Sequence, residues 1–184
     1  PIMILAFAVS YGAGLIGSEE ESGTLEILLA TPLPRWRVML SKFGALITFT
    51  LIVLLAVWLG IAGGVLAVDI ETDLGNLLAG VMNMAPLALV FAALAFCLTG
   101  LRGSRGTALG LTLAVAAITY LVHTLSEVTN VPAWMQKLSP WYWYNGVYAL
   151  SEGVDPLNVA LLLGVTLLLV ALGMWGFERR DLGV

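Results

Sequence analysis

Five apolar stretches, each near the length that crosses a bilayer, leave this chain few ways to fold. They cover residues 2–17, 43–68, 77–99, 107–125 and 157–177. A helix needs about 20 mostly apolar residues to cross about 30 Å of hydrocarbon. The alternating ten-residue segments of a membrane barrel are missing, so the stretches read as helices. The second stretch has length to spare and carries Gly60, Gly63 and Gly64 near its end, which predicts a tilt or bend. Of all residues 60% are hydrophobic and 11% charged, against about 25% charged in a soluble domain. The expected fold class is all-α: one polytopic membrane bundle over residues 1–184.

The basic residues set an orientation. Arg35, Arg37 and Lys42 lie between the first two spans, Arg102 and Arg105 between the third and fourth, and Arg179 and Arg180 after the fifth. Only Lys137 falls on the other side, beside Asp69, Glu71, Asp73, Glu127, Glu152 and Asp155. The positive-inside rule makes the seven-cation side cytoplasmic, and a plasma-membrane location is expected. The net charge of −4 hides this asymmetry and points to no nucleic-acid partner. With the N-terminus outside and no initiator Met or signal peptide at Pro1, an upstream span is expected, giving six in the full subunit.

Residues 18–42 are the one place where acids, bases, prolines and a short amphipathic helix crowd together. Ser18-x-x-Glu21 has capping-box spacing, which predicts a new helix starting there with early acids at its positive end. Leu25, Leu28 and Leu29 form one apolar stripe beside Glu26. Thr31-Pro-Leu-Pro34 stops that helix and Pro34 suits the start of the next. Arg35, Trp36 and Arg37 are then expected at the interface, with the next span rising from Lys42. A rigid polar block of this kind suits a handle that a soluble partner pushes, where a solvated helix start is the plainer account of its acids.

On the opposite side, residues 131–146 concentrate Trp134, Trp141, Tyr142, Trp143 and Tyr144, with Pro140 beside them. Amphipathic rings favour the headgroup level, so short helices lying in or dipping into the outer interface are expected. They serve either as anchors or as an outer gate. Ser10, Tyr11, Gly12 and Gly14 make a small-residue face on the first span, and Gly60-x-x-x-Gly64 and Gly106-x-x-x-Gly110 also fit close helix approach.

Residues for bond-making chemistry are sparse. No P-loop motif is present, and Gly100–Gly106 reads as a turn with two arginines. His123 is the single histidine and lies three residues before Ser126, the one pairing an intramembrane hydrolase would have. Cys97 reads as a small buried hydrophobe. No acid or base sits in mid-span, where ion-coupled transporters usually carry one. The free energy for any work is therefore expected from another chain.

The polar block closely resembles a known segment. Glu19-x-Glu21-x-Gly23-Thr24-Leu25-Glu26-x-Leu28-Leu29-x-Thr31-Pro32, followed by Lys42, resembles the first cytoplasmic loop of ABC-2 type transporter permeases. The ending Phe177-Glu-Arg-Arg-Asp-Leu-Gly and the outer stretch Leu138-Ser-Pro-Trp-Tyr-Trp-Tyr-Asn-Gly146 are similar to family segments too. Glu20 departs from the family pattern, where many members carry a basic residue. The resemblance implies a permease subunit without catalysis of its own, paired with a second, identical or related permease copy in the lipid. It implies a cytoplasmic ATPase that binds ATP and Mg, with no cofactor on this chain. Glu19, Glu21, Gly23, Thr24, Leu25, Glu26, Leu28, Leu29 and Pro32 would then engage the ATPase, and export is the expected direction. A membrane scaffold in an ATPase-linked assembly complex is the other reading.

Overall fold

A computed structural model of the chain describes residues 1–21, 35–68, 73–102, 104–129, 132–144 and 154–179. These residues form helices and no strand: α1 (Ile2–Glu21), α2 (Arg35–Val68), α3 (Leu74–Met82), α4 (Met84–Arg102), α5 (Arg105–Val128), α6 (Ala133–Lys137), α7 (Pro140–Tyr144) and α8 (Pro156–Arg179). Four segments are long and apolar enough to cross a membrane: Trp36–Val68, Leu74–Arg102, Arg105–Ser126 and Pro156–Arg179. The apolar part of α1, Ile2–Ser18, is shorter, yet α1 packs into the bundle. The architecture is the expected all-α membrane bundle.

Helix α4 is its axis. Every residue from Ala85 to Ala93 is buried, and α8 and α1 cover it on two sides, with α5 beside it. In a bilayer, lipid tails solvate a helix as well as leucine does, so association rests on close packing. That explains the small residues at the contacts. A Cβ on Gly12 of α1 would lie 2.5 Å from the Ala92 carbonyl oxygen of α4. One on Gly100 would lie 2.5 Å from the Gly173 carbonyl oxygen of α8, and one on Gly173 would lie 2.9 Å from Cys97 Cα. These are backbone-to-backbone contacts that only glycine permits. Gly60, Gly64, Gly106 and Gly110, in contrast, face nothing within 4 Å among the described residues, so their spacing marks no helix contact there.

Three buried threonine hydroxyls close onto their own helices. Thr50 donates to Leu46 O (2.8 Å), Thr99 to Ala95 O (2.9 Å) and Thr166 to Leu162 O (2.9 Å). Each thereby avoids leaving a polar atom unpaired in an apolar surround.

Two boundaries differ from the sequence reading. Residues 77–99 are not one helix, because the chain breaks at Asn83 between α3 and α4. Pro86 has no N–H to offer Met82 O, so the helical ladder fails at that point. Ser18 caps no new helix: α1 runs on through Glu21, and the Ser18 hydroxyl donates back to Gly14 O. With neither Gly nor Pro between Ser18 and Glu21, nothing stops the turn. Helix α2 starts at Arg35, the residue after Pro34, as expected, and runs for 34 residues. Elsewhere short polar side chains cap helix starts: Asp73 Oδ1 accepts from Gly75 N (2.8 Å) and Ser104 Oγ from Thr107 N (3.4 Å).

Candidate functional site

The bundle has two unlike ends. At the basic end, the end of α1 meets the starts of α2 and α5. Lys42 Nζ donates to Leu15 O at 2.8 Å, and Leu15, Ile16, Met39, Phe43 and Leu46 share one core cluster. A Cβ on Gly17 would lie 2.7 Å from Arg105 Cβ, so α5 starts directly against α1. Thr99 Oγ1 of α4 also reaches Ala13 O, at 3.5 Å. Trp36 and Trp175, each under an arginine (Arg37 at 5.3 Å, Arg179 at 4.2 Å), border this end, an arrangement suited to an interface.

Between α1 and α2 lies the polar block. Gly23, Thr24, Leu25, Glu26, Leu28, Leu29 and Pro32 fall outside the described residues, as do the side chains of Glu19 and Glu21. The structure places the two helices that bracket them, and it ties those helices together at Lys42 and Leu15.

At the aromatic end, α6 and α7 fold back into the bundle. Pro140 opens α7 with its preset φ, and Ser139 just before it is buried, donating to Thr119 O of α5 at 3.0 Å. Asn83, at the α3–α4 break, donates to Tyr144 O at 2.7 Å. Trp143 Nε1 donates to Lys137 O at 2.9 Å and so closes α7 onto α6. Thus the segment is pinned to α4 and α5 from opposite sides.

The aromatic residues divide in two. Trp134 (65% exposed) and Tyr142 (38%) face outward, whereas Trp141 is only 5% exposed. Its ring lies 5.0 Å from Tyr120, 6.2 Å from Phe91 and 6.4 Å from Tyr144, centroid to centroid. Tyr144 is half-buried, and burial pushes its phenol up from the ordinary value. Beside Trp141 lies an apolar cavity of about 250 Å³ between α1 and α5, lined by Ile2, Leu5, Leu113, Ala116 and Tyr120. Asn83, Tyr120 and Phe91 complete this end and carry no aromatic-belt signal of their own. Asn83 is the one amide in its apolar stretch, three residues before Pro86, and that pattern marks the break.

The hydrolase pairing is not formed. Ser126 donates to the backbone carbonyl of His123, not to its imidazole. Among the described residues no three His, Cys, Asp or Glu side chains gather to hold a metal.

Against known proteins, residues 2–178 match the family described as "Multidrug efflux system permease Rv1217c, C-terminal domain". The chain is also 33% identical over 129 residues to the probable ABC transporter permease protein NosY of Stutzerimonas stutzeri. That alignment covers 66% of this chain and 45% of the relative, so the match spans less than half of the relative's length.

Proposed function

The chain belongs to the Rv1217c multidrug-efflux permease C-terminal domain family, and from that membership we propose that it is a membrane subunit of an ATP-driven ABC-2 type exporter. The observation that carries the reading is a family match over nearly the whole chain, from residue 2 to residue 178. A separate cytoplasmic ATPase supplies the free energy, and a second permease copy completes the pathway. The basic end is the cytoplasmic one, in keeping with the charge asymmetry.

Coupling enters through residues 19–32. Leu25, Leu28 and Leu29 fill an apolar groove on the ATPase, and Glu19, Glu21 and Glu26 meet cations at its rim. Gly23, Thr24 and Pro32 fix the shape of the segment. A push there reaches α1 and α2 together, since Lys42 joins them at Leu15 O. It reaches α4 through the Gly12–Ala92 contact. At the far end, α6 and α7 close the exit, with Trp141 as the plug and Trp134, Pro140, Tyr142, Trp143 and Tyr144 around it. The burial of Trp141 favours this reading over simple anchoring, because an anchor has no need to enter the core.

The test is co-purification of the full-length subunit with its ATPase, followed by reconstitution. Leu28→Asp is expected to abolish solute-stimulated ATP turnover while membrane insertion and expression stay normal. Undiminished transport by a well-expressed Leu28→Asp subunit would sink the coupling assignment.

A further inference from the structure

We propose that the cleft between α1, α2 and α5 at the basic end is a binding site for a phosphate-bearing anion at the membrane edge. The cleft encloses about 380 Å³, and its polar lining is Ser10, Tyr11, Ser18, Lys42 and Arg105, with Gly14 as part of its floor. Two cations from different helices and three hydroxyls converge there, and no carboxylate is among the lining residues that the structure describes.

The geometry that brings Arg105 in is specific. Gly17 lets the first turn of α5 sit on α1, with a would-be Cβ 3.2 Å from Arg105 Cα. The guanidinium then lies along Gly14, where a Cβ would be 3.9 Å from its Cζ, Nε and one Nη. Arg105 Nε is buried and has no hydrogen-bond partner among the described residues. A buried, unpaired donor on a charged group is costly. A phosphate removes that cost, since the planar guanidinium matches its oxygens in a bidentate manner and an ammonium meets them as a point charge. The N-terminus of α5, capped by Ser104, adds partial positive charge in the same place. Basic clefts between helices near the cytoplasmic surface are suited to anionic lipid headgroups. The acids Glu19, Glu20 and Glu21 follow on the last turn of α1, and the experiment weighs them because it uses the complete protein.

The full-length subunit, stripped of lipid in neutral detergent, is titrated with short-chain phosphatidylglycerol, short-chain phosphatidylcholine or inorganic phosphate. Thermal unfolding is the readout. Phosphatidylglycerol is expected to raise Tm saturably. The half-saturating concentration should rise about tenfold in Arg105→Gln and in Lys42→Gln, as loss of one charged contact of about 1.4 kcal/mol requires. Arg179→Gln, a cation outside the cleft, should match the parent. A rise with inorganic phosphate alone assigns the site to the free anion; a rise with phosphatidylglycerol alone assigns it to the headgroup. Equal responses to phosphatidylglycerol and phosphatidylcholine, or unchanged titrations in both variants, overturn the proposal. Should Arg105→Gln fail to fold, Gly14→Leu keeps both charges and fills the cleft. It should abolish the response while leaving the lipid-free Tm near the parent value, and a retained response overturns the proposal.

Discussion

Helices α2 and α4 are both continuous apolar runs, yet they meet opposite fates. In the most apolar window of the α3–α4 segment 78% of residues are buried by the chain, against 11% for α2. Hydrophobicity does not separate them. The difference lies in side-chain size: α4 offers Ala85, Ala88, Ala92, Ala93, Ala95 and Gly100 to its neighbours, while α2 presents Leu51, Ile52, Leu55 and Leu59 outward. In a bilayer a leucine gains nothing by leaving lipid for protein. A small residue gains because it lets two backbones approach.

The contrast can be broken by substitution. The largest effect is expected at Gly100→Val. Its Cβ would strike the Gly173 carbonyl, and backbone cannot yield as a flexible side chain can. Overpacking typically costs about 1–3 kcal/mol and sometimes more, so this variant should lie at or above the top of that range in detergent unfolding. A Tm equal to the parent would mean that α4 and α8 do not meet at Gly100.

Next comes Trp141→Ala, expected to cost about 3 kcal/mol, the low end for a buried aromatic, since the site already borders a cavity. Trp134→Ala should stay within about 0.5 kcal/mol, as exposed positions do. Equal losses at Trp134 and Trp141 would erase the division between the buried and outward rings. Asn83→Leu removes the donor to Tyr144 O and should cost about 1 kcal/mol, a typical net hydrogen bond. Its signature is faster hydrogen exchange in α6 and α7 with α4 unchanged. The smallest change is expected at Gly63→Leu on α2, within about 0.5 kcal/mol for the isolated chain. Marked destabilisation there would show that the open face of α2 is in fact packed.

Much of this was legible in the sequence, for physical reasons that can be named. The crossing helices were, because their apolar runs are set by bilayer thickness. The small-residue face of α1 was, since Gly12 does meet α4. What escaped were features that depend on a neighbour. Gly60-x-x-x-Gly64 has the same local pattern as a true contact, and only the tertiary arrangement leaves it facing outward. The break at Asn83 was signalled by Pro86, but its meaning depends on Tyr144, 61 residues away along the chain. Trp141 and Trp134 share a composition signal, yet one enters the core because Ser139 and Asn83 draw α7 inward. The polar block between α1 and α2 lies outside the described residues, so its nine proposed contact positions rest on the sequence and the family.

The glycine contacts that join α1 to α4 and α4 to α8 have a mechanical corollary. Surfaces meshed at carbonyl-oxygen distance cannot slide past one another without first separating, so these three helices form a single stiff plate. The seam left for rearrangement within one subunit is the one where α2 leans on that plate through longer side chains. Cross-linking α1 to α4 should therefore leave turnover intact.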